Sequence, residues 1–205
     1  MTITHGYATL DDYKSFVALR GLDGIVRSDV SDDAVIEMMI EATSRLVERL
    51  SGRRFWVDAS DTAYYYTAED EDCLELPDFA SITTVSVDLS GLRSYTDLTS
   101  TDWEVTPDNY AAEGKPIRGL AIVPPSAAYF PTSRRGVKVT GKRGWSTVPT
   151  DVKDAVLEIV NNIYASRSGQ TSAGRVSVTA SGIVIRPEDI PEFAMAIIRS
   201  YRFMT

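Results

Sequence analysis

The chain has 205 residues, of which 43% are hydrophobic and 24% are charged, so it has the composition of an ordinary globular protein and enough length to bury a core. Its net charge of −8 argues against a dedicated DNA-binding domain, which usually presents a basic face. No apolar run approaches the roughly 18 residues of a membrane span, and the first residues lack the basic and apolar blocks of a secretory signal. We therefore expect no membrane partner.

A single cysteine, Cys73, and a single histidine, His5, restrict the chemistry that the chain can perform. One subunit has too few thiolate and imidazole ligands for a zinc site, and it cannot form an internal disulfide, which fits a reducing compartment. A Ser/His/Asp triad would depend on His5, which lies in the N-terminal tail. We expect no catalytic residue, no metal site and no cofactor, although an active site built of carboxylates alone stays open for so acidic a chain.

The N-terminal third predicts two helices. Thr9 and Asp12 have the spacing of a capping box at the start of the first helix. Ser31 is the predicted N-cap of the second helix, which Gly52 ends. The apolar residues of this second helix recur at spacings of three and four and predict its buried face: Val35, Met39, Ala42, Leu46 and Leu50.

The middle of the chain, residues 62–148, predicts short antiparallel strands, because Thr, Val and Tyr alternate with turn residues. The candidate strands are Thr62–Tyr66, Ile82–Leu89, Trp103–Val105, Leu120–Val123 and Val137–Thr140. The acidic run Glu69–Asp72 is interpreted as a solvated turn, and the segment Val87–Asp102 as a long loop or hairpin.

The helical period returns after Val148. Pro149 and Thr150 predict the start of a third helix, and a last helix follows Pro191. Between these helices, Arg175–Arg186 alternates like a β-ribbon that turns near Gly182. The predicted fold class is α+β: a small bundle of about four helices with an inserted antiparallel sheet or barrel-like region. The predicted division is 1–61 for the first helical part, 62–148 for the β-rich insertion and 149–205 for the helical part that completes the bundle.

One apparent nucleotide-binding motif is rejected. Gly136 through Lys142 fits the first seven positions of a P-loop, but Arg143 stands where Ser or Thr would hold magnesium. Gly144 follows instead of a helix, so we interpret Gly141–Gly144 as a turn.

Two short stretches combine cations with aromatic rings. Arg53, Arg54, Phe55 and Trp56 follow the second helix, and Lys138, Lys142 and Arg143 lie near Trp145 before the third. Such groups are typical of protein interface hot spots, and they also bind single-stranded nucleic acid by stacking. Surface charge over half-buried aromatics is the third interpretation. We select all of these residues except Lys138 as candidates for a protein interface.

The order of these elements resembles the head–tail connector adaptors of long-tailed bacteriophages. The resemblance lies in Tyr7–Lys14, the acid-led helix Ser31–Leu50 with its ending Leu50-Ser-Gly-Arg-Arg-Phe55, Leu74-Glu-Leu-Pro77 with Ile82–Asp88, the strand and turn Val137–Trp145 leading into Asp151–Val156, and the last helix ending Arg199–Phe203. It covers nearly the whole chain as an order of elements. The section Leu89–Pro131 departs from it, being longer than a minimal member needs.

The resemblance implies a structural protein without catalytic activity. Members of this family form rings, usually of twelve subunits, below the portal of the capsid, and they connect it to a stopper or tail protein. Genomic double-stranded DNA passes through the channel without sequence-specific binding. The implied location is the virion neck, after assembly in the host cytoplasm.

The resemblance also implies a docking segment at the C-terminus. In the family this segment enters the portal, and by position it corresponds here to Tyr201, Arg202, Phe203, Met204 and Thr205. A frayed terminus without a partner is the alternative. For the whole chain, the alternatives are another phage neck or tail-completion protein and, from a different class, a small nucleic-acid-binding protein or enzyme.

Overall fold

The computed structural model describes residues 3–20, 32–167, 178–179, 182–183 and 190–202. The helices of this part are α1 (Leu10–Leu19), α2 (Asp33–Ser51), α3 (Thr150–Arg167) and α4 (Glu192–Ser200). The strands are β1 (Thr62–Tyr66), β2 (Cys73–Val87), β3 (Thr96–Asp97), β4 (Trp103–Thr106), β5 (Ile117–Ile122), β6 (Val137–Arg143), β7 (Val178–Thr179) and β8 (Gly182–Ile183). The predicted α+β class is confirmed.

The chain forms two compact units. The helical unit comprises Met1–Arg53 and Val148–Thr205, and the sheet unit comprises residues 54–147. The predicted division into 1–61, 62–148 and 149–205 stays a prediction.

Helix α1 begins with the predicted capping box. The side-chain oxygen of Thr9 accepts a hydrogen bond from the backbone N–H of Asp12 at 3.1 Å, and the Asp12 carboxylate accepts one from the N–H of Thr9 at 2.9 Å. These bonds satisfy amides that a helix start would otherwise leave without partners. Tyr13 and Val17 are buried on one face of the helix.

Helix α2 buries a different face from the one predicted. Of the five expected residues only Met39 is buried, and Leu50 is 36% exposed. The buried residues are Ile36, Met39, Ile40, Thr43, Ser44, Val47 and Ser51. Ser44 and Ser51 are buried without losing hydrogen bonds, because each hydroxyl donates to the carbonyl four residues earlier at 2.8 Å. The spacing of apolar residues therefore predicted a stripe of α2 that lies beside the stripe that is buried.

Helix α3 begins at Thr150 as predicted. Its buried apolar side chains are Val152, Ala155, Val156, Leu157, Ile159, Val160 and Ile163. Helix α4 packs against it with Ala194 and Ile198 buried. Of the predicted ribbon Arg175–Arg186, residues 178–179 and 182–183 are described, and there β7 pairs antiparallel with β8; the other residues of the ribbon lie outside the described part of the chain.

The sheet unit is built around the long strand β2. The strand order is β1-β6-β2-β5-β4, with β3 paired to β2, and every pair is antiparallel. The first part of β2 pairs with β5 and the second part with β6, and the change falls at Phe79. The core of this unit consists of Ala68, Leu74, Leu76, Phe79, Val85, Val87, Ile117, Leu120, Phe130, Val137 and Val139.

The prediction of a turn over Gly141–Gly144 is wrong, because β6 continues to Arg143. A side chain at Gly141 would place its Cβ 2.2 Å from the carbonyl oxygen of Ser81, so glycine permits the close approach of β2 rather than a reversal. Only Gly144 leaves the strand geometry, at φ 106°. The segment Val87–Asp102, expected to be a long loop or hairpin, is a hairpin, because the short strand β3 pairs antiparallel with the end of β2.

Candidate interaction surfaces

The first candidate group lies around the carboxylate of Asp58. This carboxylate pairs with Arg54 at 2.9 Å and accepts hydrogen bonds from the hydroxyl of Tyr64 at 2.6 Å and from the backbone N–H of Arg143 at 2.9 Å. The guanidinium of Arg54 also lies 4.0 Å from the ring centre of Trp56. The carboxylate thus joins the segment before β1, strand β1 and the end of β6.

The electrostatics of this group favour the ionised carboxylate. Burial alone would raise the pKa of Asp58, but the hydrogen bonds from Tyr64 and Arg143 and the charge of Arg54 bring it below the usual value. The pKa of Tyr64 is raised by burial and by its bond to Asp58. The group is therefore charged and fully formed at neutral pH.

The aromatic members Phe55 and Trp145 lie inside the sheet unit. Their ring centres are 5.3 Å apart, Phe55 is fully buried, and Trp145 is 6% exposed. The indole Nε1 of Trp145 donates to the carboxylate of Asp78 at 2.9 Å. We call Arg54, Phe55, Asp58, Arg143 and Trp145 the buried joint after its two buried rings; Arg54, Asp58 and Arg143 are partly exposed.

The interface role expected for this first group stays a prediction. The rings of Phe55 and Trp145 are covered in the subunit, whereas Arg53, Arg54, Trp56, Lys142 and Arg143 are partly exposed. An interface at this place would use the cations and Trp56 rather than the two covered rings.

The second candidate group is the C-terminal segment. Its described residues are Tyr201, which is partly buried, and Arg202, which is exposed; Phe203, Met204 and Thr205 lie outside the described residues. The hydroxyl of Tyr201 donates to the carboxylate of Asp151 in the first turn of α3 at 2.9 Å. Burial and this bond raise the pKa of Tyr201 to about 12, while the charge of Arg53 lowers it. The structure thus brings Arg53 and Tyr201, which the sequence placed in separate groups, close to each other.

A third group was not found by the sequence reasoning. The rings of Tyr65 and Tyr95 are 5.5 Å apart, the guanidinium of Arg135 lies 4.3 Å from the ring centre of Tyr65, and Lys138 Nζ lies 5.4 Å from that of Tyr95. Arg93 donates to the backbone carbonyls of Arg134 and Arg135. We call Tyr65, Arg93, Tyr95, Arg135 and Lys138 the tyrosine platform.

The register of the sheet explains the platform. Tyr65 pairs with Lys138 across β1 and β6, and in an antiparallel pair residues opposite each other share one face. The neighbouring residues Tyr66 and Val137 face the opposite side, where Val137 is buried. The alternation of β1 was visible in the sequence, but its partner strand was not.

Two chemical features are absent from the part of the chain that the structure describes. It holds no group of three or more His, Cys, Asp or Glu side chains placed to bind a metal ion. Among its helices, none combines the length and hydrophobicity required to cross a membrane.

The fold defines an α+β protein in which an antiparallel sheet unit is inserted between the second and third helices of a small bundle. The family model of the head completion proteins matches residues 8–204, so the chain belongs to the head completion protein family. This confirms the resemblance to phage head–tail connector proteins.

Two solved structures have the same fold. A chain in the neck of an empty gene transfer agent (GTA) particle, determined with C6 symmetry, has a TM-score of 0.56 and 18% identity, over 100% of this chain and 94% of that chain. A chain in the virion of a native gene transfer agent particle has a TM-score of 0.56 and 19% identity over the same shares. At these identities the likeness establishes the fold. Comparison with curated proteins gives no significant match.

Proposed function

We propose that this protein is a structural adaptor of the virion neck, which forms a ring below the portal and connects the capsid to a stopper or tail protein. The observation that carries the proposal is the match to the head completion protein family, which spans residues 8–204. The neck location of the first similar structure supports the same role.

The proposed ring has twelve subunits and surrounds a channel for double-stranded DNA. The net charge of −8 supports passage rather than binding, because an acidic wall repels phosphates and limits adhesion. In this role the protein catalyses no reaction, and it assembles from subunits in the host cytoplasm. Light scattering of the purified protein, with negative-stain images, tests the ring: closed rings of about a dozen subunits support it.

The proposed contact with the portal is the C-terminal segment that begins at Arg202. The bond between Tyr201 and Asp151 supports this limit, because it holds the Tyr201 side chain against α3, whereas Arg202 is exposed. The docking segment is then residues 202–205, and Tyr201 is its support.

A truncation tests the docking proposal. Deletion of Arg202–Thr205, with Tyr201 retained, is expected to leave the subunit folded and to abolish its sedimentation with portal-bearing capsids. The matched control is Tyr201→Phe, which removes the bond to Asp151 but keeps the segment; it should bind the capsids and lose about 1 kcal/mol of stability. Normal attachment of the truncated protein would contradict the proposal.

The same sedimentation experiment separates the adaptor from a tail-completion protein. An adaptor binds capsids that carry the portal, even when no tail is present. A tail-completion protein binds isolated tails and leaves such capsids unoccupied. Binding to tails alone would therefore replace the adaptor proposal.

A further inference from the structure

The tyrosine platform has the composition of a protein-binding surface. Tyr65 is 43% exposed, and the neighbouring loop after β2 exposes Leu89 at 61% and Leu92 at 82%. Exposed leucines beside tyrosine and arginine are typical of the central part of protein interfaces. Leucine side chains make no favourable contact with phosphates. The composition of the platform and its neighbouring loop therefore favours a protein partner over DNA.

The cations of this surface have no anionic partner within the subunit. In the described part of the chain, Arg93, Arg135 and Lys138 form no ion pair with any carboxylate. Elsewhere in the molecule, cations with carboxylate partners include Lys14, Arg20, Arg45, Arg54, Lys115 and Lys153. In a chain with an excess of carboxylates, this concentration of unneutralised positive charge predicts an acidic partner.

Tyrosine rings and backbone carbonyls hold these cations in place. Arg135 and Lys138 lie against the rings of Tyr65 and Tyr95, and Arg93 is held by two carbonyl oxygens. The hydroxyl of Tyr95 donates to the carbonyl of Arg135 at 2.8 Å. Because these side chains are ordered before a partner arrives, binding costs little additional side-chain entropy.

The same sheet unit carries a suitable acidic partner. The run Glu69–Asp72 is exposed between β1 and β2, as predicted for a solvated turn. The carboxylate of Asp70 accepts the backbone N–H of Asp72 at 2.7 Å and that of Cys73 at 3.3 Å, so the turn has a defined shape. Within the described residues, these four acids make no ion pair in their own subunit.

We propose that the tyrosine platform of one copy binds the acidic run Glu69–Asp72 of the next copy. The inference rests on the proposed ring: a contact between two different patches of identical subunits repeats head to tail, and it closes into a ring when the rotation between neighbouring subunits divides a full turn. The leucines and tyrosines supply the apolar centre, and the charges set the orientation and favour encounter.

Cross-linking tests the contact directly. Cys73 adjoins the acidic run and is exposed, and Ser94→Cys places a second thiol at an exposed position between Arg93 and Tyr95 of the platform. A short bismaleimide applied to the full-length variant, in solution and on portal-bearing capsids, is expected to give a ladder of covalent species beyond the dimer. The single-thiol controls, the native chain and S94C combined with Cys73→Ser, should give no covalent species beyond the monomer. Dimers in either control, or no ladder in assembled rings, would overturn the proposal.

A charge exchange provides the second test. Arg135→Glu with Lys138→Glu is expected to reduce ring assembly more than about tenfold, because like charges then face each other. Adding Glu71→Lys and Asp72→Lys to the same chain should restore assembly. Lys115→Glu is the matched control, since Lys115 pairs with Glu113 away from the platform. Unchanged assembly of the Arg135/Lys138 variant would overturn the inference.

The outcomes distinguish this inference from the proposed function. Rings that form normally from the Arg135/Lys138 variant refute the platform contact and leave the adaptor role intact. A native chain that neither forms rings nor binds portal-bearing capsids refutes the adaptor role itself. Salt-dependent binding of duplex DNA that is lost in the Arg135/Lys138 variant, with unchanged rings, would identify the platform as a phosphate-binding surface and overturn the inference.

Discussion

The buried joint and the tyrosine platform use the same kinds of residue for opposite purposes. Both combine arginine with aromatic rings on the sheet unit, and in both a guanidinium lies over a ring. In the buried joint, the carboxylate of Asp58 pairs with Arg54 and that of Asp78 accepts the indole N–H of Trp145. In the platform, no carboxylate of the described residues pairs with the cations. The two sites therefore differ in whether a carboxylate lies beside the arginines, and not in the cations or the aromatic rings.

The largest expected effect is at Trp145. Trp145→Ala should lower the free energy of unfolding by about 3–5 kcal/mol, because it removes a buried ring against Phe55 and leaves the Asp78 carboxylate without the indole donor. The control, Tyr65→Ala on the platform, should cost less than about 1 kcal/mol. Urea denaturation followed by circular dichroism measures both. Similar losses at the two sites would contradict the distinction between joint and platform.

The second effect concerns the backbone beside the joint. Gly144 has φ 106°, and a Cβ there would lie 1.9 Å from the carbonyl oxygen of Trp56. Gly144→Ala should therefore cost about 2–3 kcal/mol, from strain and overpacking together. Gly91→Ala is the control, because Gly91 also has a positive φ but meets nothing within 4 Å, and its cost should be about 1 kcal/mol. Equal melting temperatures of the two variants would show that Trp56 moves away without cost.

The third effect depends on pH. The pKa of Asp58 lies below its usual value of 3.8 in the folded protein, so this group stabilises the fold above that value and loses its contribution as the pH falls through the lowered folded pKa. Asp58→Asn should cost about 1–2 kcal/mol at neutral pH. The difference from the native protein should shrink below about pH 4. Unfolding curves at several pH values check this, and a difference that stays constant down to about pH 2 would contradict the assigned role.

The sequence was informative where local chemistry decides the structure. The capping box of Thr9, the start of α3 at Thr150 and the alternation of β1 each depend on residues close together in the chain, and each was found. The order of elements was sufficient for the family, because it extends over nearly the whole chain.

The failures occurred where distant residues decide. The buried face of α2 includes Ser44, whose hydroxyl oxygen accepts the backbone N–H of Tyr7 from 37 positions away at 3.0 Å. The strand through Gly141 depends on how closely β2 approaches. The platform depends on pairing Tyr65 with Lys138, which are 73 positions apart. Sequence spacing contains none of this information.

The smallest expected effect on stability is the most informative for the platform. Arg135→Ala with Lys138→Ala should lower the free energy of unfolding by no more than about 1 kcal/mol, since an exposed cation contributes little through its ring contact. If the platform served the fold in the way that the buried joint does, the loss would approach that of Asp58→Asn. A variant that unfolds like the native protein and yet fails to assemble would separate binding from folding. A variant that loses stability and assembly together would instead show that the platform stabilises the fold as the buried joint does, and this would contradict the distinction between the two sites.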